Sequence, residues 1–308
     1  MSLPTVFVCG ATGVQGGALA RDLISKGVTV HALTRDLTSA KTQDLSSLGV
    51  KFWPGNFDNE EALKSAIAGC TSIFLNFYPD LTDMSTNLRQ AKLIMSVALA
   101  AGVQHVVYTS GLGAKGPERM DGWDPKSIVA PVLGSKRDIE QAVQTAGFKY
   151  WTILRPGMFM VNFIAPYVAQ HGDFSRTGVL ASALKEDTPI PVVSPETIGA
   201  FSSAAILDAE RFHGREIDYA DEVLTPEVIL QKLSNASGKT LKSHYYTDEE
   251  IDEAKSTNPF VDGQLITREL WKCIDMEEAK NQGVPLSTFD KFLEKEKARV
   301  VETYAQAP

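Results

Sequence analysis

Residues 5–17 read TVFVCGATGVQGG: strand formers from Thr5 to Cys9, then glycines at 10, 13 and 16. One glycine suffices for a turn. Three at a fixed spacing imply that the backbone passes close to something. The preceding run is β-branched and aromatic and ends at Gly10, as a short buried strand does. The following VQGGALARDLISKG has Val14, Ala18, Leu19, Leu23 and Ile24 at helical spacing, with Gly27 as its stop. A strand that turns through glycines into a helix is the opening of a doubly wound α/β sheet. There Gly10 permits the tight turn, Gly13 lets the backbone approach a pyrophosphate, and Gly16 lets the helix pack on the strand. The spacing GxxGxxG differs by one residue from the commoner GxGxxG. A glycine-rich turn without a ligand is the blander reading, and the flanking strand and helix argue against it.

Outward from this loop the alternation continues. VTVHALTR, VKFWPGNFD, SIFLNF, HVVYTSG and YWTILRPG read as further strands, separated by helical patterns such as NEEALKSAIAG, capped by Asn59. A helix is expected from roughly Ser85 to Ala101, and another in SKRDIEQAVQTAG. Repeated βα units with apolar strands specify a parallel sheet covered on both faces. Residues 1–157 are therefore read as a nucleotide-binding domain, with a return of the chain near 190–220, and 158–308 as mainly a smaller substrate-binding domain. GLGAKGPERMDGWDPKSIVAPVLG (111–134) reads as a long loop, of lid length. Gly238-Lys239-Thr240 ends as a phosphate-binding P-loop does, but Leu233 occupies the earlier glycine position and a helix precedes it, so no NTPase is expected.

The second strand ends Thr34-Arg35-Asp36. Arg35 offers a planar cation to a ribose 2′-phosphate, with Thr34 and Lys41 nearby, and this points to NADP(H). Asp36 keeps NAD open, since a carboxylate there accepts from a free 2′-hydroxyl. The formal net charge of −8 argues against nucleic-acid or membrane-surface binding. No apolar run approaches the ~20 residues a membrane helix needs. Three cysteines without CxxC pairing fit a reduced compartment, and the start of the chain shows no basic n-region. The expectation is a cytoplasmic protein without a signal peptide. Cys9 and Cys70 read as buried; His105 reads as surface. The histidines show no metal spacing, and no metal is expected.

GATGVQGGAL, LTRD, PGNFDNEEALKSAIAGCTSIF, VVYTSG and TILRPGMFMVNF together resemble the NmrA-like family, a branch of the atypical short-chain dehydrogenases related to isoflavone-reductase-like enzymes. FHGREI and VILQKLSNASGKTL extend the resemblance into the second half. It implies a Rossmann-type NADP(H) domain and a smaller substrate-binding domain. By resemblance, Gly10, Thr12, Gly13, Gln15 and Gly16 line the pyrophosphate and Arg35 meets the 2′-phosphate. Asn56 and Phe57 face the adenine, where related enzymes often carry Asp. Asn76 and Phe77 border the ribose and nicotinamide, and Pro156 to Phe159 lie against the nicotinamide ring.

Active short-chain dehydrogenases use a Tyr-x-x-x-Lys pair. Here Lys136 stands at the expected helix but Val132 replaces the tyrosine, while Ser110 matches the carbonyl-orienting serine. In the first turn of its helix, Lys136 would oppose the macrodipole and have its pKa lowered. Phe159, Phe163 and Tyr167 recur at i, i+4, i+8, one face if helical. That face is either core or the wall of an aromatic or quinone-like substrate pocket, with Asn162 as a polar handle.

Two readings follow. One is an NADP(H)-dependent reductase of a small carbonyl, enone or quinone, in which Ser110 orients the oxygen and Lys136 or a water supplies the proton. The other is a non-enzymatic NADP(H) sensor that regulates a transcription factor, with a nuclear location possible. Isomerase chemistry with a held cofactor is a third, which nothing singles out.

Overall fold

The structure is a computed structural model and describes residues 3–258 and 260–308. Its first eleven regular elements are β1 (Thr5–Val8), α1 (Val14–Ser25), β2 (Thr29–Thr34), α2 (Ala40–Ser47), β3 (Lys51–Pro54), α3 (Glu60–Ile67), β4 (Ser72–Leu75), α4 (Thr86–Ala100), β5 (His105–Thr109), α5 (Val129–Thr145) and β6 (Tyr150–Pro156). After β7 (Met158–Phe159) come α6 (Phe174–Thr177), β8 (Val179–Ser182), β9 (Ile190–Val193), α7 (Pro195–Leu207), α8 (Ala209–Phe212), β10 (Arg215–Tyr219), β11 (Glu222–Leu224), α9 (Pro226–Ser237) and β12 (Lys242–Tyr245). Short helices complete the chain.

The chain divides into two compact units. The first holds Met1–Ala114, Val132–Arg155 and Pro195–Ile217; the second holds Lys115–Pro131, Pro156–Ser194 and Asp218–Pro308. A seven-stranded sheet runs in the order β10-β6-β5-β4-β1-β2-β3, with β3 through β6 mutually parallel. This is the doubly wound order, and the crossovers diverge where β1 meets β4. The glycine loop leaves the end of β1 at that point.

The sheet forms because its strands are apolar on both faces: β1, β4 and β5 are buried almost throughout. Each covering helix brings one apolar stripe. In α3, Leu63, Ala66 and Ile67 are buried, and Asn59 caps its start by accepting from the Ala62 N–H at 3.0 Å. Glu60 and Glu61 complement the dipole there. The second unit contains a three-stranded sheet β11-β9-β7, a pair β12-β8, and an aromatic core in which Phe163, Phe174, Phe289 and Tyr304 are almost fully buried.

Three expectations change. The 111–134 stretch is not loop throughout: a turn of 3-10 helix spans Pro117–Arg119, and α5 begins at Val129. Pro131 sits within the first turn, where a missing N–H costs nothing. His105 is 3% exposed, not surface, because Tyr150 on β6 covers it edge-on at 6.1 Å. Phe159, Phe163 and Tyr167 do not share a helical face. Phe159 ends β7, Met160–Phe163 is 3-10 helix, and a separate 3-10 turn spans Tyr167–His171. The Gly238-Lys239-Thr240 segment ends α9: Gly238 adopts φ +72 as its left-handed cap, and Lys239 Nζ donates to the Ala307 carbonyl at 2.7 Å.

Candidate active site

The glycine loop is closed by backbone contact. Gly10 adopts φ +64, and the Gly13 N–H donates to its carbonyl at 2.8 Å. A Cβ at Gly16 would lie 2.6 Å from the Gly10 carbonyl carbon and 2.8 Å from the Cys9 oxygen. No side chain caps α1 at Gly13. Its first N–H groups and positive dipole end are thus left to an external anion.

Gln15 ties this loop to its neighbours. Its amide donates to Asn76 Oδ1 at 2.8 Å, and its carbonyl oxygen accepts from Thr109 Oγ1 at 2.8 Å. The start of α1 and the ends of β4 and β5 are therefore one hydrogen-bonded frame. Thr109 escaped the sequence reading, since nothing local marks it.

A cavity of about 600 Å³ opens beside the loop in the first unit. Of the expected residues, Gly10, Thr12, Arg35, Asn56, Phe57 and Phe77 line it; Gly13, Gln15, Gly16, Asn76 and Lys41 do not. Ser39, Asp58, Tyr78, Asn87 and Gln90 also line it, unforeseen from the sequence. Phe57 meets Phe77 edge-on at 6.0 Å.

Arg35 and Asp36 behave differently. Asp36 Oδ1 accepts from the Thr38 N–H at 2.7 Å and the Thr38 hydroxyl at 2.6 Å, which holds its carboxyl below the usual range. One oxygen of the carboxylate that would accept from an unmodified ribose is thus engaged in its own turn, and Asp36 lines the cavity beside Arg35. Among the described residues no hydrogen bond or ion pair engages Arg35, and it lines the cavity wall.

Lys136 and Ser110 are brought together. Lys136 Nζ donates to the Ser110 carbonyl at 3.0 Å. Ser110 is 3% exposed, its N–H donates to Leu154, and its hydroxyl has no hydrogen-bond partner among the described residues. Lys136 is the eighth residue of α5, not in its first turn, so the macrodipole is not what acts on it. Desolvation lowers its pKa to about 8, opposed by the Glu140 carboxylate. Val132 and Lys136 line a small cavity with Tyr108 and Phe77.

The remaining expected residues lie in the second unit. Pro156 and Phe163 are buried, whereas Phe159 and Asn162 are half-buried. Phe163 stacks on His171 at 5.5 Å and meets Phe289 edge-on at 5.9 Å, so its ring is core. Among the described residues no three His, Cys, Asp or Glu side chains gather as metal ligands, and no helix is long and apolar enough to cross a membrane.

The sequence profile of the NmrA-like family matches residues 3–284, and the chain belongs to that family. An NmrA-like family domain-containing oxidoreductase, cpsB, of Aspergillus campestris is 26% identical over 258 residues, 77% of this chain and 74% of the relative. The NADPH-dependent quinone oxidoreductase QOR2 of Escherichia coli, solved with NADPH, has TM-score 0.72 at 21% identity, covering 94% of this chain and 99% of its own. NmrA, a negative transcriptional regulator solved with NADP, has TM-score 0.71 at 19% identity, covering 99% and 98%.

Proposed function

We propose that this member of the NmrA-like family is an NADP(H)-dependent oxidoreductase acting on a small carbonyl, enone or quinone-like substrate. The observation that carries the proposal is one unit that holds both a dinucleotide-sized cavity and, at the strand ends, a lysine seated on Ser110. When bound, the dinucleotide supplies the hydride. The uncapped start of α1 receives its pyrophosphate, and Arg35 its 2′-phosphate, while Asp36 stays in its turn. The Arg35 cation on the cavity wall, beside an Asp36 tied through Oδ1 to Thr38, is what favours NADP(H) over NAD(H).

Lys136 contacts the ribose and, with a pKa of about 8, can hold or release a proton near neutral pH. Ser110, its hydroxyl buried beside the Tyr108 phenol, is the residue assigned to orient the substrate oxygen. Asn56, Phe57 and Phe77 border the cofactor from the cavity wall. Gln15 and Asn76 act by fixing the loop. For Pro156, Phe159, Asn162 and Phe163, contact with nicotinamide or substrate rests on the family resemblance alone. The names of the oxidoreductase relative and the quinone oxidoreductase support the reaction class.

A second reading, an NADP(H)-binding regulator of a transcription factor, is favoured by Val132 where the catalytic tyrosine would stand and by the likeness to NmrA. NADPH oxidation with a panel of quinones, enones and aryl ketones separates the two, run on wild type and Lys136→Ala. Turnover that the substitution removes supports the reductase. Tight NADPH binding without turnover of any substrate would sink it and leave the regulator.

A further inference from the structure

A buried ion cluster lies beneath the proposed site and takes no part in it as described so far. Arg155 on β6, 1% exposed, donates through Nε at 2.8 Å and Nη2 at 2.6 Å to the two oxygens of Glu140 on α5. Nη2 also donates to Glu216 Oε2 on β10 at 2.8 Å. Gln144, one turn beyond Glu140, donates to the other Glu216 oxygen at 3.0 Å. Arg155 and Glu140 have been drawn out of water at the sheet edge, with Glu216 partly exposed beside them. Burying such charges costs several kcal/mol per ion, and apolar side chains of equal volume are often as stabilising or more so. Stability alone is a weak reason for the cluster.

Its place on the helix is a better one. Glu140 follows Lys136 by four residues, one turn, so both project from the same stripe of α5. Lys136 crosses over Gly111, where a Cβ would lie 3.6 Å from Lys136 Cε, before reaching the Ser110 carbonyl. A slip of α5 by one residue would displace Nζ by ~1.5 Å along the helix axis and break that contact.

We propose that the Glu140–Arg155–Glu216 clamp is the positioning device for Lys136, fixing α5 against β6 and β10 and setting the charge beneath the Lys136 ammonium. The proposal rests on the oxidoreductase reading only for what Lys136 goes on to do. The groups facing Lys136 are Glu140 on its own helix, the Tyr108 phenol from β5, the Ser110 carbonyl just after β5, and Arg155 behind Glu140 on β6. Around the small cavity, α4 and the segment before it bring Phe77, Pro79, Met84 and Asn87, none of them ionisable. Glu140 strengthens proton binding by Lys136, and Arg155 is the ion-pair partner that holds Glu140 in place.

The test reads Lys136 directly, without substrate. Competitive labelling of the full chain with acetic anhydride between about pH 5 and 11, followed by mass spectrometry, gives its titration midpoint. In Glu140→Gln the midpoint should fall by about one unit, a tenfold loss of proton affinity. Glu140→Asp, which keeps the charge, should stay nearer wild type. A clamp that is merely structural would lower the thermal midpoint of Glu140→Gln and leave the Lys136 titration where it was; that result overturns the proposal. If Glu140→Gln does not fold, Glu216→Gln decides. Its side chain is 24% exposed, and its loss should lower the Lys136 midpoint by a smaller step, whereas an unmoved midpoint overturns the proposal. Wild-type protein that turns over no substrate defeats the reductase reading and leaves this titration intact.

Discussion

Residues 8–16 and residues 156–171 both leave the end of a sheet strand, yet their conformations have different origins. The first is dictated by its own backbone: Gly10 must take φ +64, and Gly16 must lack a Cβ because the Gly10 carbonyl occupies that space. The second is dictated by what covers it. Its chain breaks into a two-residue strand and two 3-10 turns as Phe163 packs among His171, Phe289 and Tyr304, the last donating its hydroxyl to the Phe163 carbonyl at 2.7 Å. Local steric necessity survives in a sequence pattern; packing against distant residues does not.

The largest effect that sharpens this comparison is acid unfolding. His105 in the first unit and His171 in the second are held neutral by burial, each with its pKa pushed down to about 4. The unfolded chain takes up protons first as pH falls through its usual ~6.5. Stability is therefore full above about pH 6.5 and is lost between there and about pH 4, at up to ~1.4 kcal/mol per pH unit for each histidine. Thermal melts of His105→Asn and His171→Asn at pH 7 and 5 should each show a smaller pH-dependence than wild type. Equal pH-dependence in all three would discard the account.

Next comes Gly16→Ala. The added methyl collides with backbone, which cannot rotate away, so a loss of about 3 kcal/mol is expected. NADPH affinity should fall with it, and calorimetry on the variant checks both. Wild-type affinity in a folded variant would mean the loop tolerates displacement and the contrast is false. Arg35→Ala tests the side-chain counterpart: losing one charged hydrogen-bond partner, worth about 1.5–3 kcal/mol, should weaken NADPH binding roughly 10–100-fold. NADH binding should barely change; parallel losses for both dinucleotides would remove Arg35 from the 2′-phosphate. The smallest effect belongs to Asn59→Ala, which deletes the α3 cap at a cost of about 1 kcal/mol by denaturant melt. An unchanged midpoint would show the cap to be idle.

The same distinction explains what was legible. The doubly wound parallel sheet and the α3 cap follow from period, glycine placement and capping chemistry within short windows of sequence. Arg35 was legible as a cation at a strand end, and the engagement of Asp36 by Thr38 is an Asx turn two residues long. His105 misled because a histidine at a strand start is commonly exposed, and its cover comes from Tyr150, 45 residues later in the chain. The first turn of α5 was hidden by Pro131 and Gly134, residues that usually mark loops. Glu140 and Arg155 look like ordinary surface charges until the sheet places one over the other.

The bridge from Asn76 through Gln15 to Thr109 has a consequence for the tempo of exchange. Two strand ends and the first turn of α1 share one polar tie, so the loop is held in shape before an anion arrives, and little ordering remains to oppose association. Capture would then be governed by encounter, and the time a dinucleotide stays by how readily that tie loosens. A hydroxyl on β5, that of Thr109, is thereby part of what holds that shape.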